Sequence, residues 1–232
     1  PESEALAMMI QIAQALDHSH QAGLIHRDVK PKNILITNKG VAKLADMGLA
    51  RAVSDREAAE AEAGKTFGTP YYIAPEQVRG DVNIDSRADI YSLGATLYHM
   101  VTGKAPFEGP DVTAIMRKHL RDAIVPPDHV NPSLSNGISE IIELCMAKDP
   151  LKRYITTADL IEDLQAVAEG QSPVQARRLI DLSELDALNQ KMDTEEHMEE
   201  QDDPPMVATP LFWIAVSGWV LAVLLLIILL AK

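Results

Sequence analysis

From Glu4 to Gln21 the apolar positions recur at helical spacing, with Leu6, Met9, Ile12, Ala13 and Leu16 on one face. Gly23 is placed to end that helix. Two short apolar runs follow, Ile34 to Thr37 and Ala42 to Leu44, separated by Asn38-Lys39-Gly40. Asn-Lys-Gly is turn chemistry, so the pair predicts a hairpin. From Arg51 to Phe67 the chain turns to Ala, Glu, Asp and Gly with no apolar face, which predicts a mobile loop. Helical periodicity then returns over Asp85 to Thr102, Asp111 to Arg121, Ser135 to Ala147 and Thr156 to Glu169, with Gly and Pro between the runs. Residues Ala176 to Met192 predict a modest amphipathic helix, and Asp193 to Pro205 an acidic, solvated linker. The last pattern is different in kind. Leu211 to Ala231 is 21 residues without a charge. At a rise of about 1.5 Å per residue it would reach roughly 31 Å, enough for a bilayer core, with Trp213 at the interface.

Composition narrows the classes. Hydrophobic residues make up 47% of the 232, ample for a core, and the net charge is −13. That balance argues against nucleic acid as a partner. Residues 171–210 hold ten Asp and Glu against three Lys and Arg, so much of the excess lies there. The single cysteine, Cys145, excludes an internal disulfide framework, and its apolar neighbours favour a buried thiol. Two false leads can be set aside. Gly64-Lys65-Thr66 lacks the earlier glycine and the strand of a phosphate-binding loop, and the seven His residues lack metal-ligand spacing.

The chemistry is concentrated in residues 24 to 36, Leu-Ile-His-Arg-Asp-Val-Lys-Pro-Lys-Asn-Ile-Leu-Ile. A carboxylate (Asp28), an ammonium (Lys30) and an amide (Asn33) share one short loop. Phosphoryl transfer needs such a set: a carboxylate to accept the proton of an attacking hydroxyl, a cation to steady the transferred group, and an amide oxygen to help hold a metal. Asp46-Met47-Gly48 lies 18 residues beyond Asp28, after a predicted strand. Gly68-Thr69-Pro70, Ala74-Pro75-Glu76, Asp85 to Gly94 and Lys148 to Arg153 follow in order.

These motifs resemble the catalytic loop, the Asp-Phe-Gly metal motif, the two ends of the substrate-docking segment, the buried supporting helix and the last motif of protein kinases. The likeness covers roughly residues 1 to 168 and is nearest to bacterial Ser/Thr kinases of the Hanks type. It implies a mainly α fold, a kinase-like C-terminal lobe with a short β-hairpin (1–169), to which the acidic composition adds a juxtamembrane linker (170–210) and the uncharged apolar run a single transmembrane helix (211–231). It implies Asp28 as catalytic base, Lys30 on the transferred phosphate, and Asn33 and Asp46 as magnesium ligands. Arg27 would sense a phosphate on the segment after Asp46, with Thr66 or Ser54 as acceptor. His26, Thr69, Glu76, Asp89 and Arg153 would be structural supports, Arg153 pairing with Glu76. Lys30-Pro31 points to Ser or Thr, not Tyr, as the acceptor in substrates. Met47 replaces the family's Phe, an apolar exchange that keeps the metal-binding Asp.

No Gly-rich phosphate loop or strand Lys is present, and the chain opens on Pro1 inside a predicted helix, so it reads as part of a longer protein whose N-terminal lobe is elsewhere. The expectation is a membrane-anchored Ser/Thr kinase using ATP and Mg2+, inactive as this piece alone, with a kinase-like scaffold as the alternative. Its expected partners are ATP, protein substrates and membrane lipid through 211–231, with dimerisation left open. A single-pass protein with its lobe in the cytoplasm is the expected location.

Overall fold

The computed structural model describes residues 1–62, 64, 70–179, 213, 214, 219 and 223. The chain divides into two compact units, Pro1–Ser183 and Glu184–Lys232.

The first unit is mainly helical. Helix α1, Glu2–Gln21, buries Leu6, Met9, Ile12, Ala13 and Leu16, the stripe read from its spacing. Burying each large side chain contributes about 1.5–3 kcal/mol. Strand β1 (Leu24–Ile25) leads to the loop of interest and a 3-10 turn at Pro31–Asn33. Strands β2 (Ile34–Ile36) and β3 (Ala42–Leu44) form the expected antiparallel hairpin, Ile34 opposite Leu44. Beyond it come β4 (Arg51–Ala52), α2 (Arg56–Glu62), α3 (Pro75–Arg79), α4 (Arg87–Thr102), α5 (Val112–Arg121), α6 (Pro127–Val130), α7 (Asn136–Cys145) and α8 (Thr157–Ala168). Helix α1 packs against both α8 and α4, and α4 against α7.

Side-chain caps set the start of three helices. Asp111 accepts from Ala114 N–H, Ser135 from Ile138 N–H, and Thr156 and Asp159 form a reciprocal capping box. Each such cap contributes about 1 kcal/mol. Close packing of α4 on α7 depends on Gly94, where an added Cβ would lie 2.4 Å from Cys145 Cβ. The helical stretch 174–179 is tied to α8 by one carboxylate. Buried Asp163 accepts from the N–H groups of Val174, Gln175 and Ala176 at 2.8, 3.1 and 2.7 Å, and from Tyr154 Oη at 2.9 Å.

Three expectations need correction. Strands β1 and β4 pair antiparallel, Ile25 opposite Arg51, giving a second small sheet beside the hairpin. Two residues per strand are too few to show a period. The stretch from Arg51 also holds α2, where a loop was expected. Ala58 and Ala61 are strong helix formers, and Asp55 Oδ1 caps Ala58 N–H at 3.0 Å.

The third correction concerns the membrane. Among the described residues no helix is long and apolar enough to cross one. A span needs about 20 consecutive apolar helical residues. The longest described helix, α1, carries Glu2, Glu4 and Asp17 and is apolar on one face only. This overturns the expected transmembrane helix at 211–231 and the single-pass location, and no described helix supports the expected membrane-lipid partner. Of that segment Trp213, Ile214, Trp219 and Val223 are described, as helical and exposed. Its other residues, like 180–210 with most of the expected amphipathic helix and linker, lie outside the described residues.

Candidate active site

The loop from His26 to Asn33 hangs from the N-terminal half of α4. Asp89, fully buried, accepts from the backbone N–H of His26 at 2.8 Å and of Arg27 at 2.7 Å, one bond to each oxygen. His20 of α1 holds the same carboxylate at 2.8 Å through Nε2 and meets Thr157 Oγ1 at 2.7 Å through Nδ1. Gln77 of α3 donates to the Arg27 carbonyl at 2.8 Å. This fastening lets Arg27 keep a left-handed backbone, φ 66°, which a non-glycine residue adopts only when its surroundings impose it.

Beneath the loop, His26 is buried. Its Nδ1 accepts from Asp28 N–H at 3.3 Å, which assigns the proton to Nε2, and Nε2 donates to the Ala45 carbonyl at 3.2 Å. One imidazole therefore ties the loop to the residue before Asp46. A second tie runs from Ala45 N–H to the Asn33 carbonyl at 2.8 Å. Asp46 itself is exposed and also left-handed, φ 65°.

Asp28, Lys30 and Asn33 meet. Lys30 Nζ lies 2.5 Å from Asp28 Oδ2, and Asn33 Nδ2 donates to the Asp28 carbonyl at 2.9 Å and to Oδ2 at 3.2 Å. Asp28 is 9% exposed, so the carboxylate is reachable yet oriented by two donors. Because Asn33 spends its amide N–H groups on Asp28, its amide oxygen is the atom left to meet a cation. That oxygen and the Asp46 carboxylate are hard donors of the kind magnesium takes.

The remaining expected residues fall in two places. Glu76 and Arg153 form a buried bidentate pair, 2.7 and 2.9 Å, and Arg153 also donates to the carbonyls of Ala147 and Arg87 at 2.8 Å each. Arg27 turns its guanidinium toward Glu62, with Nε on the Leu49 carbonyl at 2.6 Å. Ser54 is exposed just after β4, while Thr66 and Thr69 lie outside the described residues.

Sequence reasoning missed Arg51, Glu62, His20 and Gln77. Pairing of β1 with β4 sets Arg51 opposite Ile25, two residues before Arg27, and both guanidiniums reach Glu62. The Arg27 hydrogen bond holds the Glu62 carboxyl below its usual range. Away from the loop, burial and the Lys148 charge lower His119 to about 3, burial lowers Lys148 to about 8, and burial raises the Cys145 thiol. Cys145 is thus an inert core group.

A family model of the protein kinase domain matches residues 1–163. The chain is 39% identical over 167 residues to a probable serine/threonine-protein kinase of Clostridium perfringens, covering 72% of this chain and 24% of that protein. It is 37% identical over 185 residues to the serine/threonine-protein kinase PknB of Mycobacterium tuberculosis, covering 80% and 29%. A probable serine/threonine-protein kinase of Corynebacterium efficiens is 35% identical over 212 residues, covering 90% and 29%. The chain therefore spans 24 to 29% of the length of these relatives.

Proposed function

The chain belongs to the protein kinase domain family, and on that premise we propose that it carries the catalytic loop of a serine/threonine kinase that moves the terminal phosphoryl group of ATP to protein hydroxyls. The observation that carries this reading is the meeting of Asp28, Lys30 and Asn33 on a loop fastened by Asp89.

In this reading Asp28 accepts the proton of the incoming Ser or Thr hydroxyl. Its orientation comes from Lys30 and Asn33, so little reorganisation is needed when substrate arrives. Lys30 passes from Asp28 to the transferred phosphoryl group as negative charge collects there. Asn33 and Asp46 would hold magnesium, and the ties through Ala45 fix their spacing. Magnesium, when bound, neutralises charge on the phosphates of ATP.

Residues 1–169 act, in the same reading, as the C-terminal lobe of the kinase. Leu35, Ile36, Val41 and Met47 support this. They are 57, 60, 44 and 48% exposed on and beside the hairpin that flanks the loop, an apolar surface suited to contact with a further lobe. The relatives, of which this chain matches under three tenths, leave room for one.

The test is transfer of labelled phosphate from Mg-ATP to a Ser- and Thr-containing protein by the protein that carries this chain. Phosphoserine or phosphothreonine is expected. No transfer, or label on tyrosine alone, would overturn the reading.

A further inference from the structure

A cavity of about 370 Å3 lies between the C-terminal end of α4, the loop 104–108, α5 and α6. It stands apart from the Asp28 loop. Asp89, which fastens that loop, and Tyr98, which borders the cavity, are nine residues apart on α4, roughly 13 Å of helix. The volume falls within the about 300–1,000 Å3 of small-molecule sites.

The walls are apolar and fixed. Phe107, Val125 and Val130 line the cavity. His119 meets the Phe107 ring edge-on at 4.8 Å between centroids, and Lys148 Nζ stands 4.4 Å over it. Neither borders the cavity, so they hold Phe107 from behind and keep it from swinging in to fill the space. Lys118 Nζ donates to the Glu108 carbonyl at 2.8 Å, which fixes the loop against α5.

The polar groups around this space are unspent. Tyr98 is 3% exposed, yet its hydroxyl has no hydrogen-bond partner among the described residues. A buried hydroxyl left unpaired is costly, and the cavity is where an acceptor reaches it. The Lys104 ammonium likewise has no acceptor among the described residues, and Lys118 has only a neutral carbonyl. Two carboxylates, Glu108 and Asp122, also border the cavity. Burial lowers the Lys148 pKa and the Asp122 carboxylate opposes that shift, so Asp122 is matched by Lys148 from behind. Lys104, Lys118 and Lys148 thus outnumber Glu108 and Asp122 by one, in a chain whose net charge is −13. A single anion answers that surplus. A second negative charge, as on a phosphate, would face Glu108 and Asp122 uncompensated.

We propose that this cavity binds a small hydrophobic monocarboxylate, its apolar body against Phe107, Val125 and Val130 and its carboxylate accepting from Tyr98 Oη with Lys104 and Lys118 beside it. The site does not rest on the kinase reading above.

Calorimetry on the full chain, with octanoate as probe and 1-octanol as its uncharged match, tests it without any phosphoryl transfer. Octanoate should bind about tenfold tighter than 1-octanol. Tyr98→Phe, which keeps the ring, should weaken octanoate about tenfold, and Lys104→Met, at an exposed position, about threefold. Val125→Trp should abolish binding by filling the cavity; Val125 is 55% exposed, so the larger ring should leave the melting temperature unchanged. Octanoate should also slow amide exchange across 104–108 and 118–125. No octanoate binding at millimolar concentration, 1-octanol binding as tightly as octanoate, or an affinity untouched by Tyr98→Phe or by Val125→Trp would each overturn the proposal.

Discussion

Removing the Arg153 guanidinium should be among the most damaging single changes in the chain. Arg153 is 0% exposed and Glu76 5%. Arg153→Met keeps most of the stem but leaves the Glu76 carboxylate buried with no counter-charge from it. It also strips donors from the carbonyls of Ala147, Arg87 and Lys148, and a cation 4.8 Å from the Tyr91 ring. Breaking a buried pair from one side costs about 3–5 kcal/mol, and the abandoned carbonyls argue for the upper part of that range. Domain stabilities are about 5–15 kcal/mol, so the loss is a large fraction of the whole. In a chain of this size each kcal/mol moves the melting temperature by about 2–4 °C, so a fall of roughly 8–20 °C is expected. The assay is thermal and urea unfolding of the unchanged chain, Arg153→Met, Glu76→Gln and the double variant. Once one partner is gone the second removal should cost little, so the double should be more stable than the sum of the singles by about 2 kcal/mol. A loss below about 1 kcal/mol for Arg153→Met, or strict additivity, would refute the pair as a main support of α3.

Gly94→Ala should lower stability by about 1–3 kcal/mol, because its Cβ would stand 2.4 Å from Cys145 Cβ; an unchanged melting temperature would show that α4 and α7 can part without cost. His119 is held neutral, its folded pKa lowered to about 3 by burial, so the unfolded chain binds the extra proton below about 6.5 and stability is lost as pH falls through that window. Unfolding at pH 7 and pH 5 should therefore show about 2 kcal/mol more loss in the unchanged chain than in His119→Asn, which keeps an acceptor for Tyr91. Equal losses would remove His119 as the cause.

Long, periodic elements were legible from the sequence because tertiary packing agreed with local pattern. The stripe of α1, the hairpin turn at Asn38-Lys39-Gly40 and the helices beginning at Asp111, Ser135 and Thr156 each carry their own local signal. Asp28, Lys30 and Asn33 are close in sequence, and a tight loop leaves them little choice but to meet. Arg51 and Glu62 could not be read. They reach Arg27 through a two-residue pairing of β1 with β4 and through a helix with no apolar face, and neither leaves a period in the chain. His20 was hidden differently. Its bond to Asp89 joins residues 69 apart in sequence, from helices whose crossing only the folded core decides. The apolar run at 211–231 shows the opposite failure: hydropathy alone suggested a span that no described helix provides.

The most direct test of the central claim is single-turnover phosphoryl transfer by the protein that carries this chain, with Asp28 intact and as Asp28→Asn. The exchange is nearly isosteric, and an Asn oxygen can still accept from Lys30, so the melting temperature should not move. Loss of the base should slow transfer from Mg-ATP by about a hundredfold to ten-thousandfold. A rate in Asp28→Asn equal to that of the unchanged protein would contradict the assignment of Asp28 and, with it, the account of how this loop works.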